Sequence, residues 1–334
     1  MNRSRIALIL LVLFIFSGVY IWFKSNKSQE TNVESSAIIV ETPVFNSDSA
    51  YAYIAKQVSF GPRIPNSSAQ IVCKDWMVKK LKEYGWQVKI QEFTSFRYDG
   101  YKMKGYNIMA AYQPQIQKRI LLGAHWDARS IADKDSVDKN KPIDAANDGA
   151  SGVGVMLEIA RVLSETKKRP TVGVDLIFFD LEDHGEPHDF TGNLSTTSWA
   201  LGSQHWATHI IPENYRPYYG ILLDMVGARG AKFPHEGTSM QYAPGIVRSI
   251  WATAADLGYG NMFIDEDAFG ISDDHTAVNE VGKIQMIDII DLRPVNGGFD
   301  FGSFHHTHQD NLNIIDKSTL KAVGQTLLQV LYRE

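Results

Sequence analysis

Cysteine is nearly absent from this 334-residue chain: Cys73 is the only one, so no internal disulfide can form and a disulfide-stapled scaffold is excluded. Basic runs are missing as well. With 33 Lys+Arg against 38 Asp+Glu the formal charge is −5, and no positive cluster offers the footprint that nucleic acid requires. There is no glycine-rich phosphate loop, no Gly-x-Ser-x-Gly elbow and no internal repeat, so nucleotide-hydrolase and serine-hydrolase readings lack their motifs. Hydrophobic residues at 44% against 21% charged exclude disorder over most of the length. They supply core for one large domain or two smaller ones.

One long hydrophobic run stands apart. Arg3 and Arg5 precede an uncharged, mostly apolar stretch from Ile6 to Phe23, and Lys24 and Lys27 follow it. Its length is close to the roughly 20 residues that span a bilayer. No small-x-small cleavage pattern ends the run and no cysteine is there for lipidation, which favours an uncleaved signal-anchor over a removed export signal. Residues 1–24 are therefore read as a membrane anchor with Arg3 and Arg5 cytoplasmic, which places the body in the periplasm or otherwise outside the cytoplasmic membrane. Residues 25–45, polar and low in aromatics, read as a flexible linker, and residues 46–334 as the folded domain.

In that body, helix and strand signals alternate. Ser47 or Asp48 is placed to cap a helix through Gln57; Ser67 and Ser68 precede apolar residues at helical spacing that end near Gly85. Strands are expected over 88–96, 101–112, 120–122, 174–179, 219–223 and 283–289, and further amphipathic helices over 151–163, 243–257 and 317–332. This order predicts an α/β domain with a mixed, mainly parallel central sheet, helices on both faces and an antiparallel edge from residues 88 to 112. Ligands of such sheets bind beyond the carboxyl ends of the strands.

Those ends carry the chemistry. His125, Asp127, Asp148, Glu182, Asp183, Asp224, Asp273, Asp274, His275 and His306 each follow a hydrophobic strand or open a helix. Any one of them has a bland explanation: Asp148 as the cap of the next helix, Asp224 as the end of a strand. Brought together, they repel, and a divalent cation is the common way to offset that repulsion. Carboxylate with imidazole suits zinc. Asp133, Asp135 and Asp138 lack the glycine and glutamate positions of a calcium loop and read as a surface loop. His184, Glu186, His188 and Asp189 read as a solvated loop in preference to a second metal site.

The order His125-Trp126-Asp127, Ala146-Asn147-Asp148-Gly149-Ala150-Ser151-Gly152, Phe178-Phe179-Asp180-Leu181-Glu182-Asp183, Leu223-Asp224 and a late His306 resembles the zinc aminopeptidase family and its relatives, the animal-type glutaminyl-peptide cyclotransferases (glutaminyl cyclases). The resemblance covers residues 46–334. Ile271-Ser272-Asp273-Asp274-His275, His306-Thr307 with Asp310-Asn311, and Ser198-Trp199-Ala200 are similar to cyclotransferase segments and tip the reading toward cyclisation. The resemblance implies a transferase that converts N-terminal glutamine of peptides to pyroglutamate with release of ammonia. Asp148, Asp183 and His306 would hold one zinc. Glu182 would be the general acid and base, with Asp224 and Asp273 forming an acidic relay that raises its pKa. Trp199 and His305 would line the glutamine pocket.

The alternative within the family is a di-zinc aminopeptidase, in which His125 and Asp224 bind a second zinc; a tethered peptide receptor without activity would instead lack the base or a ligand. This chain departs from the animal pattern in four places. Asp183 stands where those enzymes carry glutamate, His305 where a tryptophan precedes the zinc histidine, and Asp288 where a histidine is buried. A long segment, residues 184–197, separates the acidic pair from Trp199.

Overall fold

The computed structural model describes residues 39–195 and 197–334. The expected anchor and most of the expected linker lie outside the described residues, among which no helix is long and apolar enough to cross a membrane.

Helix α1 (Ser47–Val58) is capped by Asn46, whose side chain accepts from the amides of Asp48 and Ser49, one residue ahead of the expected cap. Ser67 caps α2 (Ser68–Glu83) as its position foretells. Then come β1 (Gln87–Phe96), β2 (Lys102–Tyr112), β3 (Arg119–His125), α3 (Ala150–Glu165), β4 (Gly173–Phe179), α4 (Leu201–Thr208) and β5 (Tyr219–Asp224). The remainder is β6 (Phe233–His235), α5 (Gly237–Tyr242), α6 (Pro244–Asp256), β7 (Phe263–Asp267), α7 (Asp274–Glu280), β8 (Met286–Ile290), β9 (Leu292–Val295), β10 (Gly298–Phe301) and α8 (Lys317–Arg333).

The main sheet has the order β1-β2-β4-β3-β5-β8. Strands β4, β3, β5 and β8 run parallel, while β1 and β2 form the expected antiparallel edge. The four parallel strands are buried on both faces, which is why their sequences are apolar throughout instead of alternating. Ile120, Leu122, Ile221 and Leu223 face the layer built by α1, α3, α6 and α8. Leu121, Ile177, Leu222 and Met286 meet Trp206 of α4 and Val278 of α7 on the other side. Helix α3 lies close on β5: a Cβ at Gly152 would come within 2.3 Å of the Leu223 carbonyl oxygen.

The linker expected to run to residue 45 gives way to packed chain before its end. Phe45 is buried against Gly324, and Gln325 accepts from its amide while donating to Thr42 Oγ1 and the Pro43 carbonyl. Lys321 donates to the Phe45 carbonyl.

Candidate active site

The turn between β3 and α3 sets the first residues. His125 ends β3 and points its Nε2 at Asp148 Oδ1 and Asp224 Oδ1, 3.1 Å from each. Gly149 has φ +90°, and a Cβ there would lie 2.8 Å from the Asp127 carbonyl and 2.9 Å from the His125 ring. Only glycine allows that approach. Asp148 makes no helix cap, since α3 begins after Gly149 with no side-chain capping bond. Instead the amides of Asn147 and Asp148 donate to the two oxygens of Asp310. Burial and the Asp148 charge push the Asp310 carboxyl up to about 7.

The second group follows β4. Leu181 turns the chain with φ +60°, and the amides of Glu182 and Asp183 donate to the two oxygens of Asp127. Asp127 thus holds the acidic pair while touching His125 Nδ1 at 3.4 Å. Third is the 302–311 loop, where His306, at φ +58°, presents Nε2 to Asp183 Oδ1 at 3.1 Å and to Asp148 Oδ2 at 3.7 Å. Its Nδ1 faces Asp133 Oδ1 at 3.4 Å, and Asp133 is clamped by Arg129 through two bonds of 2.7 and 2.9 Å. Arg129 also reaches Asp183 Oδ1 at 3.3 Å.

Asp148, Glu182, Asp183, Trp199, Asp224, Asp273, His305 and His306 all line one cavity of about 300 Å³. Trp199 stacks on His306, rings 5.9 Å apart and 7° from parallel, with the Arg129 guanidinium 4.7 Å from the indole. It fits there because residue 185 is glycine; a Cβ would fall 2.0 Å from the ring. His305 Nε2 lies 3.8 Å from Asp148 Oδ2 while Lys134 donates to its Nδ1 at 2.7 Å. The residue expected only as a pocket wall therefore also stands within ligating reach of Asp148 and His306. His125, Asp274 and His275 do not line the cavity; His275 bonds Glu236 at 3.1 Å behind it.

Two expectations need correction. Asp133 is buried beside His306, so it is no surface aspartate. Nor is the 184–197 segment merely a solvated loop: His184 and Glu186 are buried, His184 facing Asp127 at 3.3 Å and Glu186 receiving the Ser195 amide and the Ser198 hydroxyl. These residues do not converge as a metal site among the described residues. Arg129, Asp127 and Asp310 act behind the cavity and Asp133 in its wall, and none was singled out for these tasks. Arg129 and Asp133 lie in a loop, where no periodicity marks the pair.

The electrostatics follow from burial. Desolvation raises Glu182 well above the usual glutamate range, reinforced by Asp183, Asp273 and Asp274 and opposed by His125. Desolvation also lifts Asp224 to about 7, again against His125. Burial alone would lower His125, yet its bonds to Asp127, Asp148 and Asp224 carry it well above the ordinary imidazole value. Burial would raise Asp148, but the His125 bond and the His305 and His306 charges hold it down.

The side chains fit a divalent cation. Three groups among the described residues have ligand atoms within 4.8 Å of one another: Asp148 with His305 and His306, His125 with Asp224 and the same Asp148, and Asp273 with His275 and Asp288. Asp148 Oδ2 and Asp183 Oδ2 are buried without any hydrogen bond, the condition that a cation on the His306 side would relieve.

The chain belongs to peptidase family M28, whose sequence profile matches residues 107–331. It is similar to Bacteroides thetaiotaomicron glutaminyl cyclase bound to N-acetylhistamine, with 44% identity and a TM-score of 0.85 over 88% of this chain and 100% of that one. A Zn-dependent exopeptidase from Parabacteroides distasonis ATCC 8503 is 45% identical, with a TM-score of 0.84 over 88% of this chain and 100% of that one. The glutaminyl-peptide cyclotransferase of Gloydius blomhoffii is 26% identical over 302 residues, 81% of this chain and 77% of the relative. The zinc aminopeptidase-like α/β architecture expected from the sequence is the one these structures share.

Proposed function

We propose that this protein is a glutaminyl-peptide cyclotransferase that closes N-terminal glutamine of peptides and proteins to pyroglutamate and expels ammonia, with one zinc held by Asp148, Asp183 and His306. The observation that carries the single-ion reading is a difference between the two ligand groups that share Asp148. His125 Nε2 is hydrogen-bonded between Asp148 and Asp224, so that group satisfies itself, whereas the unpartnered oxygens of Asp148 and Asp183 are on the other side. A zinc ion bound there supplies Lewis-acid polarisation of the γ-amide.

The chain's own residues do the rest. The substrate's α-amino nitrogen forms a bond to the γ-carbonyl carbon, and the bond from that carbon to the amide nitrogen breaks. Glu182 takes a proton from the attacking amine and returns one to the departing ammonia, so no proton is consumed. A carboxyl raised by burial and acidic neighbours suits both tasks near neutral pH. Asp224 and Asp273, beside it in the cavity, share the remaining acidity as a relay. Trp199 and His305 wall the glutamine side chain.

The His125, Asp148 and Asp224 group favours one other reading, a di-zinc aminopeptidase. Mass spectrometry of a Gln-Xaa peptide incubated with the protein, with and without a chelator, separates the two. Chelator-sensitive loss of ammonia supports cyclisation; release of free N-terminal residues establishes the aminopeptidase and overturns it.

The run Ile6–Phe23 behind Arg3 and Arg5 supports a membrane-anchored protein with its domain outside the cytoplasm. Protease digestion of intact cells should remove the domain while cytoplasmic markers survive. Protection of the domain until lysis would sink that placement.

A further inference from the structure

A second cavity, of about 360 Å³, adjoins the first and shares three wall residues with it: Trp199, Ser272 and Asp273. Ser272, the smallest of the three, is exposed, whereas Asp273 is buried. The second cavity lies between the start of α4 and the outer side of α7. Ala200, Ala277 and Val281 supply its apolar surface, and Val281 is 49% exposed although it is a large hydrophobic residue. Glu280, an exposed carboxylate that accepts from the Tyr242 hydroxyl at 3.2 Å, stands near its far end, and among the described residues no Lys or Arg lines it.

We infer that this groove binds the residues that follow the N-terminal glutamine, and that it prefers a basic side chain at the third or fourth position of the peptide. The inference rests on the proposed cyclotransferase activity, because it needs glutamine in the first cavity. A peptide whose glutamine fills the first cavity has to continue outside it, and the groove is the adjoining space, sharing Trp199, Ser272 and Asp273 with the first cavity. Length agrees. From Asp273 to Val281 is eight residues, about 12 Å along a helix axis, which three to four extended residues span at roughly 3.3 Å each. Chemistry agrees also: small apolar side chains leave room for an extended backbone, and a carboxylate without a cationic neighbour in the lining attracts lysine or arginine and repels glutamate.

The test compares kcat/KM for the dipeptide Gln-Ala-amide with tetrapeptide amides carrying Lys or Glu at position 3 or 4, in wild type, Glu280→Lys and Val281→Trp. Wild type should favour a Lys tetrapeptide over its Glu counterpart by about threefold, the order of effect an exposed charge pair supplies. Glu280→Lys should reverse that ratio, and Val281→Trp should abolish the gain of tetrapeptides over the dipeptide, with dipeptide turnover unchanged in both. If the dipeptide is cyclised but length and charge make no difference, or the ratio survives Glu280→Lys, the groove is not a subsite and the cyclotransferase reading stands. If wild type cyclises no glutamine peptide at all, that reading fails and the subsite falls with it.

Discussion

Single side chains decide the proton chemistry, and Glu182 is the one most exposed to test. Its pKa is raised by burial and by Asp183, Asp273 and Asp274, so the base form is lost on acidification at a higher pH than an ordinary glutamate of about 4.3 would allow. The acid limb of kcat/KM should therefore sit well above that value. Glu182→Gln should retain the metal and lower turnover by at least about 10²-fold, the lower range for general acid–base catalysis; activity close to wild type would remove Glu182 from the mechanism. Asp133 makes a separate prediction. It orients His306 through Nδ1 and is itself fixed by Arg129, so Asp133→Asn should weaken zinc binding by roughly 10- to 100-fold, read by competition with a chromogenic chelator. Unchanged zinc affinity would leave Asp133 a partner of Arg129 and the His188 amide without a part in metal binding. Glu182, Asp183 and Asp224 were legible because each ends or directly follows an apolar strand. Asp133 and Asp310 were not, since a supporting carboxylate in a loop has no periodicity to mark it.

At the level of elements, the sheet was readable from its apolar runs, and the antiparallel edge from the two consecutive strands ahead of the first charged strand end. What escaped were the pieces that shape the rim. Strands β6, β7, β9 and β10 are three to five residues long, too short to display a period. Segment 184–197 looked polar enough for solvent, yet it packs through His184, Glu186 and the contact of Gly185 with Trp199. That contact is testable: Gly185→Val places atoms where the indole lies, so Trp199 must leave His306. The expected outcome is a several-fold rise in KM for glutamine dipeptides with the global fold intact, seen by kinetics beside far-ultraviolet circular dichroism. An unchanged KM would mean that Trp199 is a packing residue without a part in the pocket.

The whole molecule responds to pH and metal through its buried acids. Asp224 and Asp310, both at about 7 when folded, ionise near 3.9 when unfolded, so stability they contribute at low pH is lost as pH rises from about 4 through 7. The elevated His125 and His306 act in the same direction above their unfolded value of about 6.5, while the depressed His184 and His305 oppose them. Metal-free protein should accordingly melt lower at pH 8 than at pH 5. Zinc at roughly 1,000 times its Kd should restore about 4 kcal/mol. A metal-free melting point that rises over that interval would contradict the assignment. Arg63, fully buried and donating to the carbonyls of Trp126, Asp127, Asp144 and Ala145, ties the first helical layer to the loop that carries Asp148. Truncating it to alanine strands four acceptors and should cost about 3 kcal/mol or more in denaturant unfolding. A loss below about 1 kcal/mol would show that water replaces the guanidinium.

The clasp of residues 42–45 on α8 has a mechanical side. Tension arriving along the chain ahead of Thr42 would load four hydrogen bonds to Lys321 and Gln325 and the seat of Phe45 on Gly324 before it reached any strand. The catalytic sheet is thereby insulated from a pull applied ahead of residue 42, and a force-extension trace should show a small early rupture, absent in Phe45→Ala, ahead of the main unfolding event.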